Sequence, residues 1–242
     1  MINQIRAEVL KIRSTRTTLG FVVATVVLVV SLTLLTGLLS NSLHTVENQR
    51  QLFGLGGIAG LFSSLAGILV ITGEYRFGTI RPTFLVSPSW PRILGAKVVA
   101  SMIAGAVFAV IGVALSIGLG YLCLKHRGIP TEFHSGDWAY LVFGLVVGIA
   151  IWGGIGVGLG VLIRNQIAAV IVLLAWTFVI ENLVFALLPG LGRYGPNQAQ
   201  NAMMHSNADH LLSPGAGTAV LILWMVVLTA LGTAWTSHRD VA

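Results

Sequence analysis

Glu74, Arg76, Arg81, Arg92 and Lys97 crowd into one polar stretch, residues 73–97, between two long apolar runs. Pro82, Pro88 and Pro91 punctuate it. The prolines stiffen the segment and stop the flanking spans from running on through it, which leaves open what its charges contact. The bland reading is a basic loop that only sets topology. The second chemically expressive residue is Glu181, an acid inside an apolar run, with Asn182 beside it and Thr177 one turn before. A carboxylate in hydrocarbon costs several kcal/mol unless it is paired, hydrogen-bonded or protonated. Glu181 therefore either pins the segment 189–217 to the rest of the protein or contacts a substrate or proton.

Enzymatic signatures are missing. The sequence has no GxxxxGK[ST] phosphate loop, no HExxH zinc pair and no GxSxG nucleophile turn. Cys123 is the single cysteine, which excludes an internal disulfide and a cysteine metal cluster. The histidines fall in loops and the tail without ligand spacing. No second carboxylate or base accompanies Glu181 within a run, so neither a carboxylate pair nor a proton relay is expected.

The elements that position these residues follow from composition. The chain has 242 residues, 55% hydrophobic and 9% charged, with mean hydropathy +0.89. Soluble domains carry about 25% charged residues, so the bilayer is the natural solvent. The net charge of +6 then points to lipid headgroups and topology rather than nucleic acid. Six runs are long enough to cross as helices, near 19–39, 52–72, 98–122, 138–163, 167–188 and 218–235. They do not alternate as barrel strands would. An all-α integral membrane protein with one six-span domain, 19–242, is expected.

Arg50, Lys125, Arg127 and Arg193 fall on one side of these spans, and the other ten of the 14 basic residues on the other. The positive-inside rule puts both termini in the cytoplasm, along with the loop 73–97. Residues 1–18 precede the first span. Ile2, Ile5, Val9 and Ile12 recur at helical spacing between Arg6 and Arg13, which reads as an amphipathic helix on the cytoplasmic membrane surface rather than a plain basic anchor. Span four is glycine-rich, with Gly144/Gly148, Gly154/Gly158 and Gly156/Gly160 each at small-xxx-small spacing. This suits close helix packing, or a helix that slides during a transport cycle. Residues 189–217 are long for an external loop, and a short helix near 197–204 is expected there.

This order of parts resembles the membrane permease of a bacterial ABC exporter, of the type-two ABC transporter permease class. The resemblance rests on the surface helix, six spans, the basic loop after span two and the long external segment. It rests most on the sequence of an acid (Glu74), Gly-Thr (Gly78, Thr79), an apolar residue (Leu85), a proline (Pro88), a base (Arg92) and a lysine entering span three (Lys97). The chain departs from the pattern at Pro82 and Pro91. The resemblance implies that 73–97 holds a coupling helix docked on a cytoplasmic ABC ATPase, with Glu74, Gly78, Thr79, Arg81, Pro88, Arg92 and Lys97 as its residues. It implies a re-entrant external segment, 189–217, before span six. It also implies two ATPase copies binding ATP and Mg, no cofactor on this chain, and a second permease chain, identical or homologous. Spans two and five would line a central path, with Phe62, Ser63 and Trp176 on it, and Glu181 and Asn182 at its outer gate.

The expected function is thus ATP-driven export of an amphipathic or apolar compound (drug, lipid, peptide or glycan) from a multi-pass protein of the bacterial inner membrane. The chain would be a transport subunit and not an enzyme. An ion-gradient-driven secondary transporter would show internal repeats and more intramembrane charge. A membrane sensor or assembly factor is the other alternative.

Overall fold

The computed structural model describes residues 2–79, 90–206 and 210–239, with side chains of the last helix described to Trp235. Every regular element among them is helical. A first helix, α1 (Ile2–Ser14), breaks at Thr15, whose extended backbone turns the chain into α2 (Arg16–Leu39). The boundary thus falls before Arg16, three residues earlier than hydropathy placed it. α3 (Val46–Gly54), a 3₁₀ turn (Leu55–Ile58) and α4 (Ala59–Phe77) stack into one rod. Then come α5 (Trp90–His126) and α6 (Ser135–Ile163). α7 (Gln166–Ala175) runs through a π-helical turn (Trp176–Ile180) into α8 (Glu181–Leu187). Two short helices, α9 (Pro189–Gly192) and α10 (Pro196–Met203), precede α11 (Pro214–Arg239).

Six of these rods are long and apolar enough to cross a membrane: Arg16–Leu39, Val46–Phe77, Trp90–His126, Ser135–Ile163, Gln166–Leu187 and Pro214–Trp235. They coincide with the six expected runs, and the chain is a multi-pass membrane protein. The expected loop 73–97 is shorter than its polar composition suggested. Helix α4 continues to Phe77, and α5 opens at Trp90 with Pro91 in its first turn, where a missing N–H is harmless. Gly78 ends α4 in the left-handed region, at φ 67°. Its N–H and that of Thr79 both donate to the Glu74 carbonyl, a glycine-dependent helix stop.

Helix α6 is the centre of the bundle. Its most apolar window is 72% buried, against 11% for the α7–α8 rod. The glycine pairs make this possible, and each faces a different neighbour. A Cβ on Gly156 would strike the Ser64 backbone of α4, and one on Gly160 would meet Ile71. Gly154 and Gly158 lie against Met225 and Leu228 of α11, while Gly144 and Gly148 lie against Met204 and Gln200 at the end and middle of α10. Small residues let backbones approach where lipid supplies no drive between helices.

The anticipated short helix in 189–217 is α10, opened by Pro196 at its first position. It wedges between α6 and α11, burying Ala199, Ala202 and Met203.

Candidate functional site

Ionisable side chains buried in the bundle gather at its two ends. At the end carrying α1, Lys97 is wholly buried and donates to Glu8 Oε1 at 2.6 Å and Glu74 Oε1 at 2.7 Å. Lys11 donates to the same Glu74 oxygen at 2.6 Å. Two acids and two bases thus join α1 to the last turn of α4 and the second turn of α5. Val9 and Ile12 of α1 pack on Val70, Ala100 and Ala104 beneath them. The apolar stripe of α1 therefore meets protein along Val9 and Ile12, and the residues turned outward are Ile2, Arg6, Leu10 and Arg13.

This divides the residues expected to face a partner. Glu74 is 4% exposed and Lys97 is not exposed at all. They are internal groups, because each is the other's counter-ion and α1 covers both. Gly78, Thr79 and Arg92 are exposed, at the two ends of the connection between α4 and α5. Arg81 and Pro88 lie outside the described residues. The clue to the internal network was present: Glu8 lies one turn from both Ile5 and Ile12 on α1, and Lys11 one turn beyond Glu8.

At the opposite end, α10 is held by one buried ionisable side chain at each terminus. Glu181 is 1% exposed, and its Oε1 accepts from the N–H of Gln198, in the first turn of α10. A carboxylate there satisfies an orphan donor and complements the helix dipole. Gly195, the residue before α10, packs directly against this carboxyl group and has no room for a Cβ. Arg50, 3% exposed, donates to the carbonyl of Met204 at 2.6 Å, where α10 ends, and to Asp137 at 2.6 Å. Glu47 of the same rod lies 3.7 Å from the Arg50 Nε and accepts from Ser206. Sequence reading placed Arg50 in an outer loop and missed this role, since its acceptor is 154 residues away.

The π-helical turn supplies further anchors. A widened turn changes which carbonyls the helix itself uses. Thr177 O accepts from the side-chain amides of both Asn182 and Asn197, and Phe178 O from that of Asn182. Between this turn, the 3₁₀ turn and α10 lies a cavity of about 310 Å³. Asn182, Asn197, Gln198, Gln200 and Asn201 line it with carboxamides, and Gly57, Leu61 and Phe178 close its sides. Trp152 Nε1 donates to Gln200 Oε1 at 2.6 Å. A second cavity of about 330 Å³ adjoins it, sharing Gly54, Gln198, Asn201 and Met204 and reaching Arg50.

The five residues expected on the path or gate divide accordingly. Asn182 lines the first cavity, and Glu181 stands behind it as the anchor of α10. Trp176 is set against Trp224, ring centres 5.6 Å apart. Phe62 and Ser63 are directed into the bundle: Phe62 packs on Phe21, and Ser63 donates to the Ile149 carbonyl. The face of the same rod that lines the cavity carries Gly57, Gly60 and Leu61 instead. Helical rotation, which hydropathy does not encode in an all-apolar span, makes the difference.

The anchoring geometry makes Glu181 testable. Glu181→Ala leaves the Gln198 N–H without its acceptor and is expected to cost about 1–3 kcal/mol. Glu181→Gln keeps a carbonyl acceptor and should lose markedly less. Thermal unfolding of both variants in detergent checks this, and equal losses would count against the anchor. No family model and no curated protein matches this chain.

Proposed function

We propose that the chain is the membrane permease subunit of an ATP-driven ABC exporter, working with a separate ATPase. It sits in the bacterial inner membrane with both termini in the cytoplasm, and α1 lies at the cytoplasmic surface with Ile2 and Leu10 toward lipid. Residues 189–217 form the re-entrant external segment. Two permease chains, identical or homologous, enclose the path, and two ATPase copies bind ATP and Mg below. The cargo is an amphipathic or apolar compound.

The observation that supports this reading best is the network of Glu8, Lys11, Glu74 and Lys97. It ties α1 and both helices flanking the 78–89 connection into one body. A push received at that connection would move spans two and three together, as a transporter without its own phosphate site requires. The exposed Arg92 offers a charge for docking on acids of a partner.

The test is purification of the tagged chain from its native host in mild detergent. An ABC ATPase is expected to co-purify, with ATP-dependent export in vesicles. Arg92→Glu should reduce ATPase recovery severalfold while membrane insertion is kept. Reproducible absence of an ATPase, with ion-gradient-driven transport by this chain alone, would overturn the reading.

A further inference from the structure

We propose that the carboxamide-lined cavity between the 3₁₀ turn, the π-helical turn and α10 binds a neutral, hydroxyl-rich group, such as the sugar head of an amphipathic molecule. As the identity of the exported cargo, this assignment rests on the transport reading above. As a binding site, it stands on the cavity itself.

The cavity's lining sets the chemistry. Among the described residues that line it, none is titratable. The nearest charges are committed elsewhere: Glu181 to the first turn of α10, Arg50 to Met204 O and Asp137, and Glu47 to Arg50 and Ser206. A charged ligand would therefore enter without a counter-ion, which is costly in a poorly solvated site. Carboxamides offer donors and acceptors together; Asn182, Asn197 and Asn201 already donate to Thr177 O, Phe178 O and Gln198 Oε1, which leaves their oxygens to accept from ligand hydroxyls.

One donor is left over. Gln200 is 6% exposed, its Oε1 is taken by Trp152, and its Nε2 is buried without a hydrogen-bond partner among the described residues. That nitrogen is enclosed between α6 and the 3₁₀ turn, 3.1 Å from where a Cβ on Gly148 would lie and 3.8 Å from one on Gly57. A buried donor of this kind is expensive to leave alone, and a ligand oxygen satisfies it once the Gln200 amide turns from Gly148 toward the cavity. The volume, about 310 Å³, is at the small end of ligand sites, which suits one sugar-sized group. Ile58 and Leu61 on the Gly57 wall, with Phe178 of the π-helical turn, suit the apolar part attached to it.

The experiment uses the full chain in lipid nanodiscs, with empty nanodiscs as the blank. Three probes share an octyl chain: octyl glucoside, octyl phosphate and octylammonium. Saturable glucoside binding is expected, about tenfold tighter than either charged probe. Gln200→Leu should weaken it about tenfold, the effect of one lost buried hydrogen bond. Because that change also strips Trp152 of its acceptor, Asn201→Leu, at a less buried position whose side chain bonds only Gln198 Oε1 among the described residues, provides a second variant expected to weaken glucoside binding while lowering the thermal midpoint less than Gln200→Leu does. Equal binding of all three heads, or undiminished glucoside binding by Asn201→Leu, would overturn the proposal. ATP-driven transport is assayed separately. Glucoside binding without such transport would sink the export reading and keep the site, and the reverse result would sink the site alone.

Discussion

Replacing Lys97 with Met is expected to detach α1 and to cost about 3–5 kcal/mol, the usual penalty for stripping one partner from a buried ion pair. Lys97 is fully buried and holds Glu8 and Glu74 at once. Without it, two carboxylates face each other, and only Lys11, about half exposed, remains to offset them. Glu74 Oε2 and Glu8 Oε2 already lack hydrogen-bond partners among the described residues, so little slack is available. The thermal midpoint should fall by several degrees, and spin labels on α1 should gain mobility. Removing the acids as well, in Glu8→Gln/Glu74→Met/Lys97→Met, should recover part of the loss, because an apolar replacement carries no desolvation penalty. A Lys97→Met protein with an unchanged midpoint and an immobile α1 would refute the network's role. On the exporter reading proposed above, the single variant should also uncouple ATP hydrolysis from transport while leaving ATPase attachment in place.

The second large effect is expected at Gly156. A methyl group there would run into the carbonyl of Ser64, with that residue's Cα 2.8 Å away. The obstacle is backbone, so no rotamer change relieves it, and α4 and α6 must move apart. Overpacking costs about 1–3 kcal/mol where side chains can adjust. Gly156→Ala should reach or exceed the upper figure. Gly118 sits in a helix with nothing within 4 Å of a built Cβ. Gly118→Ala should be neutral or stabilising by up to about 1 kcal/mol, through helix propensity alone. Unfolding of the two variants side by side separates close packing from a general dislike of substituting glycine. Equal behaviour would show that the approach of α4 and α6 is not limiting.

The glycine motifs show how far sequence pattern reaches. Spacing of four residues identified the pairs in α6 and their meaning as contact points. It did not say which neighbour each pair meets. Gly154 and Gly156 are two residues apart, so they face nearly opposite sides of a helix with 3.6 residues per turn. One side is covered by α4 and the other by α11, and that assignment depends on where those helices pack.

The expected polar sites divide in the same way. Glu181 stood out in the sequence because a lone acid in an apolar run must have a partner, and pinning the external segment was one of the two roles open to it. Asn182 was legible as part of the same patch. Glu74 and Lys97 were legible as unusual residues at span ends, but their direction was not. Both point inward because a third element, α1, brings Glu8 and Lys11 to them. Nothing near position 50 in the sequence signals that Arg50 closes the end of α10.

The sequence by itself determined the number of spans, their approximate limits, the short helix before the last span and the identity of the acid that had to be satisfied. Hydropathy and helix propensity are local sums along the chain, and a bilayer-length apolar run has few alternatives to a helix. Only the tertiary structure decided which face of each helix is turned inward, which charges neutralise one another and where a cavity remains. Those outcomes rest on contacts such as Glu8 with Lys97, Arg50 with Met204 and Glu181 with Gln198. Such contacts come from the relative rotation and depth of packed helices, which an apolar surface on all sides leaves unspecified until the helices meet.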